Sequence, residues 1–217
     1  MGQKVNPTGF RVGTFVPWKS RWFADDKNYR DFLIEDIKIR KALMERLKLA
    51  GITDVEIERL PKSMVITITV SRPGVVIGRG GTGIEDLKKY VLDIITEHRG
   101  YRPKDIKIDL PVQEIKDAET SAHLVATRIA SELERRIPHR RVVTKAMERV
   151  MQSGAKGIKI TLSGRIGGAD IARSEKFQMG SVPTQTLREN IDYSQVPALL
   201  KKGYVGVKVW IYKKTEK

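Results

Sequence analysis

The chain has 217 residues, enough for one large domain or two modest ones, and a hydrophobic content of 40% supports a real core. Lysine and arginine outnumber aspartate and glutamate by 41 to 26, which gives a net charge of +15. Such a surplus predicts an anionic partner, with nucleic acid favoured over a membrane surface. The absence of cysteine excludes disulfides, thiolate metal sites and thiol catalysis, and indicates a cytoplasmic protein. No apolar segment approaches about 18 residues, so no membrane span is expected.

Residues 1–28 mix basic and aromatic side chains with glycines and prolines in an irregular stretch. We interpret them as an arm that lies along RNA, with rings available to stack on bases. The candidate rRNA-binding residues of this arm are Lys4, Arg11, Lys19 and Trp22. The alternative interpretation packs the tryptophans on the neighbouring domain, and we expect that packing for Trp18.

Residues 29–110 are predicted to follow the order helix, strand, strand, helix, glycine loop, helix, strand. Apolar residues at helical spacing predict the first helix over residues 31–49. Apolar and polar residues alternate over 55–58 and 64–70, which predicts a half-buried antiparallel hairpin. A last alternating strand is expected over 106–110.

The glycine loop Gly78-Arg79-Gly80-Gly81 lies between a short helix predicted over 73–77 and a long helix that follows. A loop without side chains, next to a helix N-terminus, lets a phosphodiester backbone approach closely. A G-x-x-G loop between two helices, beside an antiparallel sheet, resembles a KH domain of the prokaryotic type II arrangement (αββααβ). Loops of this kind clamp about four backbone nucleotides. We therefore predict that Gly78, Arg79, Gly80 and Gly81 bind rRNA.

The same glycines allow other interpretations. Gly78, Gly80 and Gly83 also spell the G-x-G-x-x-G dinucleotide-binding fingerprint of an oxidoreductase, with Asp109 as a possible ribose partner. The first strand of a dinucleotide fold is buried on both faces and runs directly into its glycines. Here the preceding strand alternates with threonine and is separated from the glycines by residues 71–73, which disfavours that function. A helix–helix turn without a ligand is the third possibility.

The second half of the chain is predicted to form a separate domain. Residues 111–116 are interpreted as a linker, residues 117–212 as an α+β domain, and residues 213–217 as a short basic tail. The domain contains one amphipathic helix that ends near Pro138, a second helix from about His139 to Gln152, and a mainly antiparallel four-stranded sheet. Its strands are expected over residues 158–162, 173–179, 187–193 and 204–212.

A cluster of six cations and a single acid, Glu148, lies between residues 135 and 149. Three of the cations share a helix face because they are spaced i, i+4 and i+8: Arg141, Lys145 and Arg149. Like charges on one face destabilise an isolated helix, so this cluster predicts a polyanionic partner, because arginine grips phosphate in two places and stacks on bases. The alternative is a solvated face near a helix end. The six cations are Arg135, Arg136, Arg140, Arg141, Lys145 and Arg149.

A glycine-rich turn, Gly164–Gly168, either cradles a phosphate through its amides or simply connects two strands, and both interpretations stay open. Arg165 within it is a candidate rRNA-binding residue. Catalytic motifs are absent from the sequence: His98, His123 and His139 have no metal-ligand spacing, and there is neither a G-x-S-x-G motif nor a Walker A lysine. We therefore expect no enzyme, cofactor, metal or small-molecule substrate.

Several sequence blocks are spread from residue 1 to about 212. They include Gly2-Gln3-Lys4-Val5-Asn6-Pro7, Val76-Ile77-Gly78, Gly154-Ala155-Lys156-Gly157-Ile158, Ser163-Gly164-Arg165-Ile166-Gly167-Gly168 and Gly206-Val207-Lys208-Val209-Trp210. Together these blocks resemble a known family, the third protein of the bacterial small ribosomal subunit. This resemblance implies a KH type II domain followed by an α+β domain, seated on the head of the subunit against 16S-type rRNA. It also implies the tenth and fourteenth small-subunit proteins as neighbours and the cytoplasmic ribosome as location.

The resemblance further implies contact with mRNA, because this family lines the channel through which mRNA enters and contributes basic residues to unwinding it. Two of those residues map onto Arg140 and Arg141, and the third family position falls on Thr144, with Lys145 next to it. The alternative function is a free KH-type RNA-binding regulator. The predicted mRNA-binding residues are Arg135, Arg136, Arg140, Arg141, Lys145 and Arg149.

Overall fold

The computed structural model describes residues 4–99, 107–115 and 117–214. The chain divides into a central unit, Trp18–Lys116, and a C-terminal unit that combines Asp117–Lys217 with Met1–Pro17. The predicted arm of residues 1–28 is therefore divided between the two units. Parts of four predicted features lie outside the described residues: positions 1–3 of the arm, position 106 of the last strand of the first half, position 116 of the linker and the end of the basic tail.

Six helices and nine strands are assigned in the described ranges. The helices are α1 (Pro7–Arg11), α2 (Asp26–Arg46), α3 (Pro73–Ile77), α4 (Thr82–Arg99), α5 (Ala122–Glu134) and α6 (His139–Gln152). The strands are β1 (Ser20–Arg21), β2 (Ile52–Arg59), β3 (Ser63–Val70), β4 (Lys107–Asp109), β5 (Val112–Glu114), β6 (Gly157–Gly164), β7 (Arg173–Gly180), β8 (Ile191–Leu200) and β9 (Gly203–Tyr212).

The central unit has the predicted order of helix, strand, strand, helix, loop, helix and strand, so this expectation is confirmed. β2 and β3 form an antiparallel hairpin, β1 joins β2 in parallel, and β4 and β5 both pair in parallel with β3. The apolar stripes of α2 and α4 pack on the sheet because the alternating strands present one apolar face to them. The fully buried residues include Ile39, Leu43, Val55, Ile57, Ile66, Ile68, Val91 and Ile95.

The linker prediction is wrong for Val112–Glu114. These residues form β5, which pairs with Ile68–Val70 of β3, and the amide of Ile115 donates a 3.0 Å hydrogen bond to the carbonyl of Val70. A three-residue strand is too short to show an alternating pattern, so periodicity could not reveal it. The sheet of the central unit therefore extends past the predicted boundary.

The C-terminal unit packs α5 and α6 on an antiparallel sheet of order β7-β6-β9-β8, as the sequence predicted. The inner positions from Ile158 to Leu162 of β6 and from Val205 to Ile211 of β9 are branched aliphatic residues, which fit the pleated surface beneath two amphipathic helices. The buried core includes Val125, Ile129, Val143, Val150, Ile158, Ile160, Leu162, Val207, Val209 and Ile211.

The third strand of this sheet lies further along the chain than predicted. The expected range was 187–193, whereas β8 runs from Ile191 to Leu200. β8 contains Pro197, although proline cannot donate a hydrogen bond to a ladder. β8 lies at the edge of the sheet and pairs with β9 alone in the described part of the chain, so Pro197 is tolerated opposite Gly206.

A buried ionic network ties the central unit together. Glu35 and Asp36 of α2 are each 0% exposed. Arg59 donates to Glu35 at 2.7 Å and also to Asp36, while Arg99 from the end of α4 donates to both carboxylate oxygens of Glu35. The indole of Trp22 donates a 2.7 Å hydrogen bond to Asp36. These hydrogen bonds join α2, β2, α4 and the segment before α2. Each of the buried charges named here has a partner, which offsets the cost of burying it.

The pKa of Glu35 gives this network a testable pH dependence. Burial by itself raises the pKa of Glu35, but the hydrogen bonds and charges of Arg99 and Arg59 outweigh it and hold the pKa below its ordinary value of 4.5. The ionised carboxylate therefore stabilises the fold above that value, and this contribution is lost as the pH falls through the lowered pKa.

We expect Glu35→Gln to destabilise the protein by about 3 kcal/mol at pH 7, since it leaves buried guanidinium charge uncompensated. Below about pH 4.5 the difference between the two proteins should shrink, because the wild type loses its advantage there. Urea unfolding followed by circular dichroism at several pH values measures this difference. A difference that stays constant down to pH 2 would contradict the role given to Glu35.

Candidate nucleic-acid interface

The glycine loop has backbone angles that only glycine adopts easily. Gly78, which ends α3, has φ 70° and ψ −178°, and its amide donates to the carbonyl of Gly74 at 3.1 Å. Gly80 and Gly81 have φ of 66° and 83°. A residue with a side chain would be strained at these three positions. This strain explains the glycines in the loop between α3 and α4.

The space around the loop separates glycines that serve packing from glycines that leave room for a ligand. A Cβ atom at Gly83 would collide with the carbonyl of Val76 and meet that of Ile77 at 2.9 Å, so Gly83 is needed where α4 crosses α3. A Cβ atom at Gly80 or Gly81 would meet nothing within 4 Å. The outer half of the loop therefore faces open space, where a phosphate can approach its amides.

The dinucleotide interpretation does not fit this geometry. β3 is antiparallel to β2, and α3 separates β3 from the glycines. Asp109, the expected ribose partner, lies on β4 with Lys88 at 3.8 Å. A Rossmann unit needs a parallel strand that runs directly into the loop, so the third glycine of the apparent fingerprint is explained by helix packing.

The cation cluster lies on the exposed side of α6 and on the turn before it. Val142, Val143, Ala146, Met147 and Val150 bury the opposite side of the helix in the core. Of the six cations, Arg149 is half-buried and the other five are exposed, in agreement with the predicted shared face. None of the six forms an ion pair within the described ranges. A rigid helix therefore carries uncompensated positive charge towards solvent.

Arg136 has an unusual backbone conformation. Its φ is 62°, and among the described residues it is the one non-glycine residue with positive φ. Its amide donates to the carbonyl of Leu133 at 2.8 Å, which ends α5 in the left-handed turn that usually carries glycine or asparagine. An arginine there costs about 1–3 kcal/mol of strain. A residue held under strain at a helix end is a candidate for function.

Arg11 is not accessible to RNA, which corrects its assignment as an rRNA-binding residue. Its side chain is 1% exposed and donates to the carbonyls of Pro7 at 2.9 Å, Thr184 at 3.2 Å, Thr186 at 2.8 Å and Glu189 at 3.0 Å. Burial lowers the pKa of Arg11. The three bonds to Thr184, Thr186 and Glu189 fasten α1 to the loop before β8, so Arg11 stabilises the C-terminal unit.

The two tryptophans of the N-terminal stretch, Trp18 and Trp22, both differ from expectation. Trp18, expected to pack, is 65% exposed. Trp22, expected to bind rRNA, is half-buried against Tyr29 and Phe32 and hydrogen-bonded to Asp36, so it supports the fold. The reason is that only Trp22 lies next to a buried acceptor for its indole N–H.

The remaining candidate rRNA-binding residues differ in the number of internal ion pairs and hydrogen bonds that they form. Lys4 is exposed, and Lys19 is exposed with an ion pair to Asp54 at 2.8 Å. Arg165 donates to the carbonyl of Ala169 at 2.8 Å and to Asp170 at 3.0 Å. These bonds close the turn Gly164–Gly168 on itself, which favours a strand connection over a phosphate cradle.

No group of three or more histidine, aspartate or glutamate side chains that could hold a metal occurs in the described parts of the chain. None of the helices within those parts is long and apolar enough to cross a membrane. The histidines make local contacts instead: His123 lies 3.2 Å from the hydroxyl of Ser194, and His139 lies 3.0 Å from Glu175.

Comparison with known proteins gives a consistent assignment for both units. A family model described as "KH domain" matches residues 38–120, and one described as "Ribosomal protein S3, C-terminal domain" matches residues 129–211. Small ribosomal subunit protein uS3 of Persephonella marina is 52% identical over 213 residues, which cover 98% of this chain and 90% of that protein. The chain belongs to the uS3 family.

Further relatives agree with this assignment. The uS3 proteins of Caldicellulosiruptor saccharolyticus and Clostridium novyi are 49% and 47% identical, again over 98% of this chain, and the alignments cover 92% and 93% of their lengths. The uS3 family is structural and not enzymatic, as the sequence predicted. The central unit is thus the KH type II domain, and the C-terminal unit contains the S3 C-terminal domain.

Replacing Gly80 by aspartate or by asparagine gives a matched test of the loop. Both side chains have the same shape, both tolerate a left-handed backbone, and both would enter open space. We expect Gly80→Asp to bind a transcript of small-subunit rRNA at least about tenfold more weakly than Gly80→Asn, since only aspartate repels a phosphate. Filter binding measures the affinities, and thermal unfolding should be equal for the two variants. Equal affinities would show that the loop does not contact RNA.

Proposed function

We propose that this uS3-family protein is a structural constituent of the small ribosomal subunit in the cytoplasm. It binds the 16S-type rRNA of the subunit through the KH loop. It presents the cation cluster of α6 and the preceding turn, called the α6 cations below, to incoming mRNA. The observation that carries this proposal is the cation cluster on α6 and the turn before it, of which five members are exposed and none has a carboxylate partner in the described chain. Cations held apart from carboxylates on a rigid surface attract a polyanion. Membership of the uS3 family supports RNA as that polyanion.

The proposed rRNA contacts are those candidates that the fold leaves accessible. Lys4 and Lys19 are exposed, and the loop Gly78–Gly81 offers free space beside a helix N-terminus. Arg11, Trp22 and Arg165 are left out of this set because internal hydrogen bonds occupy them. The tenth and fourteenth small-subunit proteins are the proposed neighbours, on the strength of the family resemblance.

The α6 cations suit the unwinding of mRNA because they are positioned before any RNA arrives. The buried side of α6 fixes the helix, so Arg140, Arg141 and Lys145 keep their spacing. Thr144, where the family has a basic residue, lies beside Lys145 on the same exposed side. Lys145 therefore supplies the third positive charge of the proposed mRNA contact.

A free RNA-binding regulator is the second candidate, because a KH domain alone is compatible with it. The exposed cations by themselves favour neither a subunit constituent nor a free regulator. Co-sedimentation with small subunits in high salt separates the two functions: a subunit constituent stays with the particle, whereas a regulator held by weak electrostatic contacts dissociates.

Replacing Arg140 and Arg141 by alanine should slow translation of an mRNA with a stable hairpin several-fold and leave an unstructured mRNA unaffected. The reason is that backbone phosphates of the unwound strands lose their positive partners. The measurement is the elongation rate on both messages, with subunit assembly followed on sucrose gradients. Adding Lys145→Ala should slow the structured message further.

Two controls accompany this pair of substitutions. Arg140→Lys with Arg141→Lys keeps the charge and should retain most of the rate. Lys38→Ala with Lys41→Ala removes the same charge from exposed positions on α2 and should leave the rate unchanged. An unchanged rate in the double-alanine variant on structured messages would exclude the proposed mRNA role.

Arg136→Asn separates function from folding at the strained position. Asparagine accepts positive φ more readily than arginine, so we expect the free energy of unfolding to stay equal or to rise by up to about 1 kcal/mol. The same substitution removes a cation and should slow translation of structured mRNA. Urea unfolding and the elongation assay test the two effects, and a loss of stability without a change in elongation would show that Arg136 only supports the fold.

A further inference from the structure

The sheet of the C-terminal unit has a second face that does not pack on α5 and α6. Residues of β6, β7 and β9 alternate between the core and this outer face. At the outer positions, Lys159 of β6 pairs with Gln178 and Trp210, and Thr161 of β6 pairs with Lys176 and Lys208. Three lysines from three adjacent strands therefore share one face of the sheet.

This outer lysine face, defined by Lys159, Lys176 and Lys208, has no internal counter-charge. None of the three forms an ion pair in the described ranges. The other outer positions of these strands carry Thr161, Ser163, Ser174, Gln178, Tyr204, Gly206, Trp210 and Tyr212, with no carboxylate among them. At the margin, Glu189 accepts a hydrogen bond from the hydroxyl of Tyr212.

The ammonium groups on this face are crowded. The side chain of Lys4, from the segment before α1, contacts Lys159, and this contact is the largest cause of a lowered pKa of Lys159. Burial, the charge of Lys4 and the charge of Lys176 act in the same direction. Lys159 also lies over the ring of Trp210, at 5.7 Å from its centroid. Neighbouring cations that disfavour one another gain free energy when an anion binds between them.

The lysines are also held in place. Thr161 points to the outer face but is only 8% exposed, and its register partners on both sides are Lys176 and Lys208. Alkyl stems of lysine cover neighbouring side chains while the ammonium stays in water. Adjacent strands are about 4.8 Å apart, so these two ammonium groups start from Cα atoms about 10 Å apart on a rigid sheet.

We propose that the outer lysine face is a second RNA-binding surface, at which Lys159, Lys176 and Lys208 neutralise phosphates of the rRNA backbone. This surface rests on the proposed function and adds to it a contact independent of the KH loop and of α6. Recognition there is independent of base sequence, because lysine meets phosphate as a point charge and Trp210 is too deeply buried to stack on a base.

RNA fits this face better than an acidic protein segment does. A protein interface of ordinary stability has an apolar centre and is depleted in lysine. The centre of this face is Thr161 between two lysines, and the large aromatic side chains Trp210 and Tyr212 are already buried. The positive charge at this centre is complementary to a polyanion.

Full-length protein carrying Lys159→Gln, Lys176→Gln and Lys208→Gln tests the proposal. The probe is a transcript of small-subunit rRNA, and affinities are measured over a series of salt concentrations. We expect the slope of log K against log salt to become shallower by about 2, since each lost phosphate contact contributes about 0.7–0.9. At fixed moderate salt the affinity should fall at least about tenfold.

Two matched variants control for folding and net charge. Replacing the same three lysines by arginine keeps the charge and should keep the slope. Lys38→Gln, Lys41→Gln and Lys48→Gln remove the same net charge from exposed positions of the central unit and should change the slope less. An unchanged slope in the outer-face variant, with the wild type binding normally, would overturn this inference alone. A wild type that does not bind rRNA would overturn the proposed function as well.

Photocrosslinking identifies the occupant directly. A benzophenone side chain at Gln178, which pairs with Lys159 and is exposed, reaches whatever covers this face in assembled subunits. A crosslink to rRNA is the expected result. A crosslink to a ribosomal protein alone would show that the face is a protein interface and would overturn the proposal.

Discussion

Repulsion among like charges is the constraint on which this structure depends. The chain carries a net charge of +15, and folding brings those charges together. Where cations must be buried, the fold provides partners: Glu35 and Asp36 surround Arg59, and four carbonyl groups surround Arg11. Within the described residues, no such partners are supplied on α6 or on the outer face of the C-terminal sheet. We propose that RNA provides this counter-charge, so that the fold and its partner form one electrostatic arrangement.

The two domains use this constraint in different ways. At the KH loop we propose RNA contacts through backbone amides near Gly80 and Gly81, where a Cβ atom would meet nothing within 4 Å. The C-terminal domain presents long cationic side chains from regular elements whose other sides are buried. In the proposed function, both arrangements fix the position of positive charge before RNA arrives, which reduces the entropy lost on binding.

Much of this organisation could be predicted from the sequence, because regular elements leave periodic patterns. The αββααβ order, the shared face of the α6 cations and the two faces of β9 all follow from apolar spacing. The alternation of lysine with aliphatic residues in β6 and β9 was also visible, although single lysines on amphipathic strands are ordinary. The shared lysine face could be recognised only from the strand register, which places Lys176 and Lys208 on either side of Thr161.

What could not be predicted depended on contacts between distant parts of the chain. Three of the four hydrogen-bond partners of Arg11 lie more than 170 residues away, so a buried arginine looked like an RNA contact. The role of Trp22 depended on an acceptor, Asp36, that the helical pattern of α2 did not mark as buried. β5 was missed and β8 was predicted too early in the chain, because pairing with neighbours, and not local propensity, makes these segments strands.

The measurement that tests the central claim most directly is the salt dependence of binding between the full-length protein and small-subunit rRNA. If the exposed cations neutralise phosphates, the affinity falls steeply as salt rises, with a slope of log K against log salt of about −5 or steeper for six or more contacts. A slope near zero, or no binding at modest ionic strength, would contradict the view that the surplus positive charge serves to hold RNA.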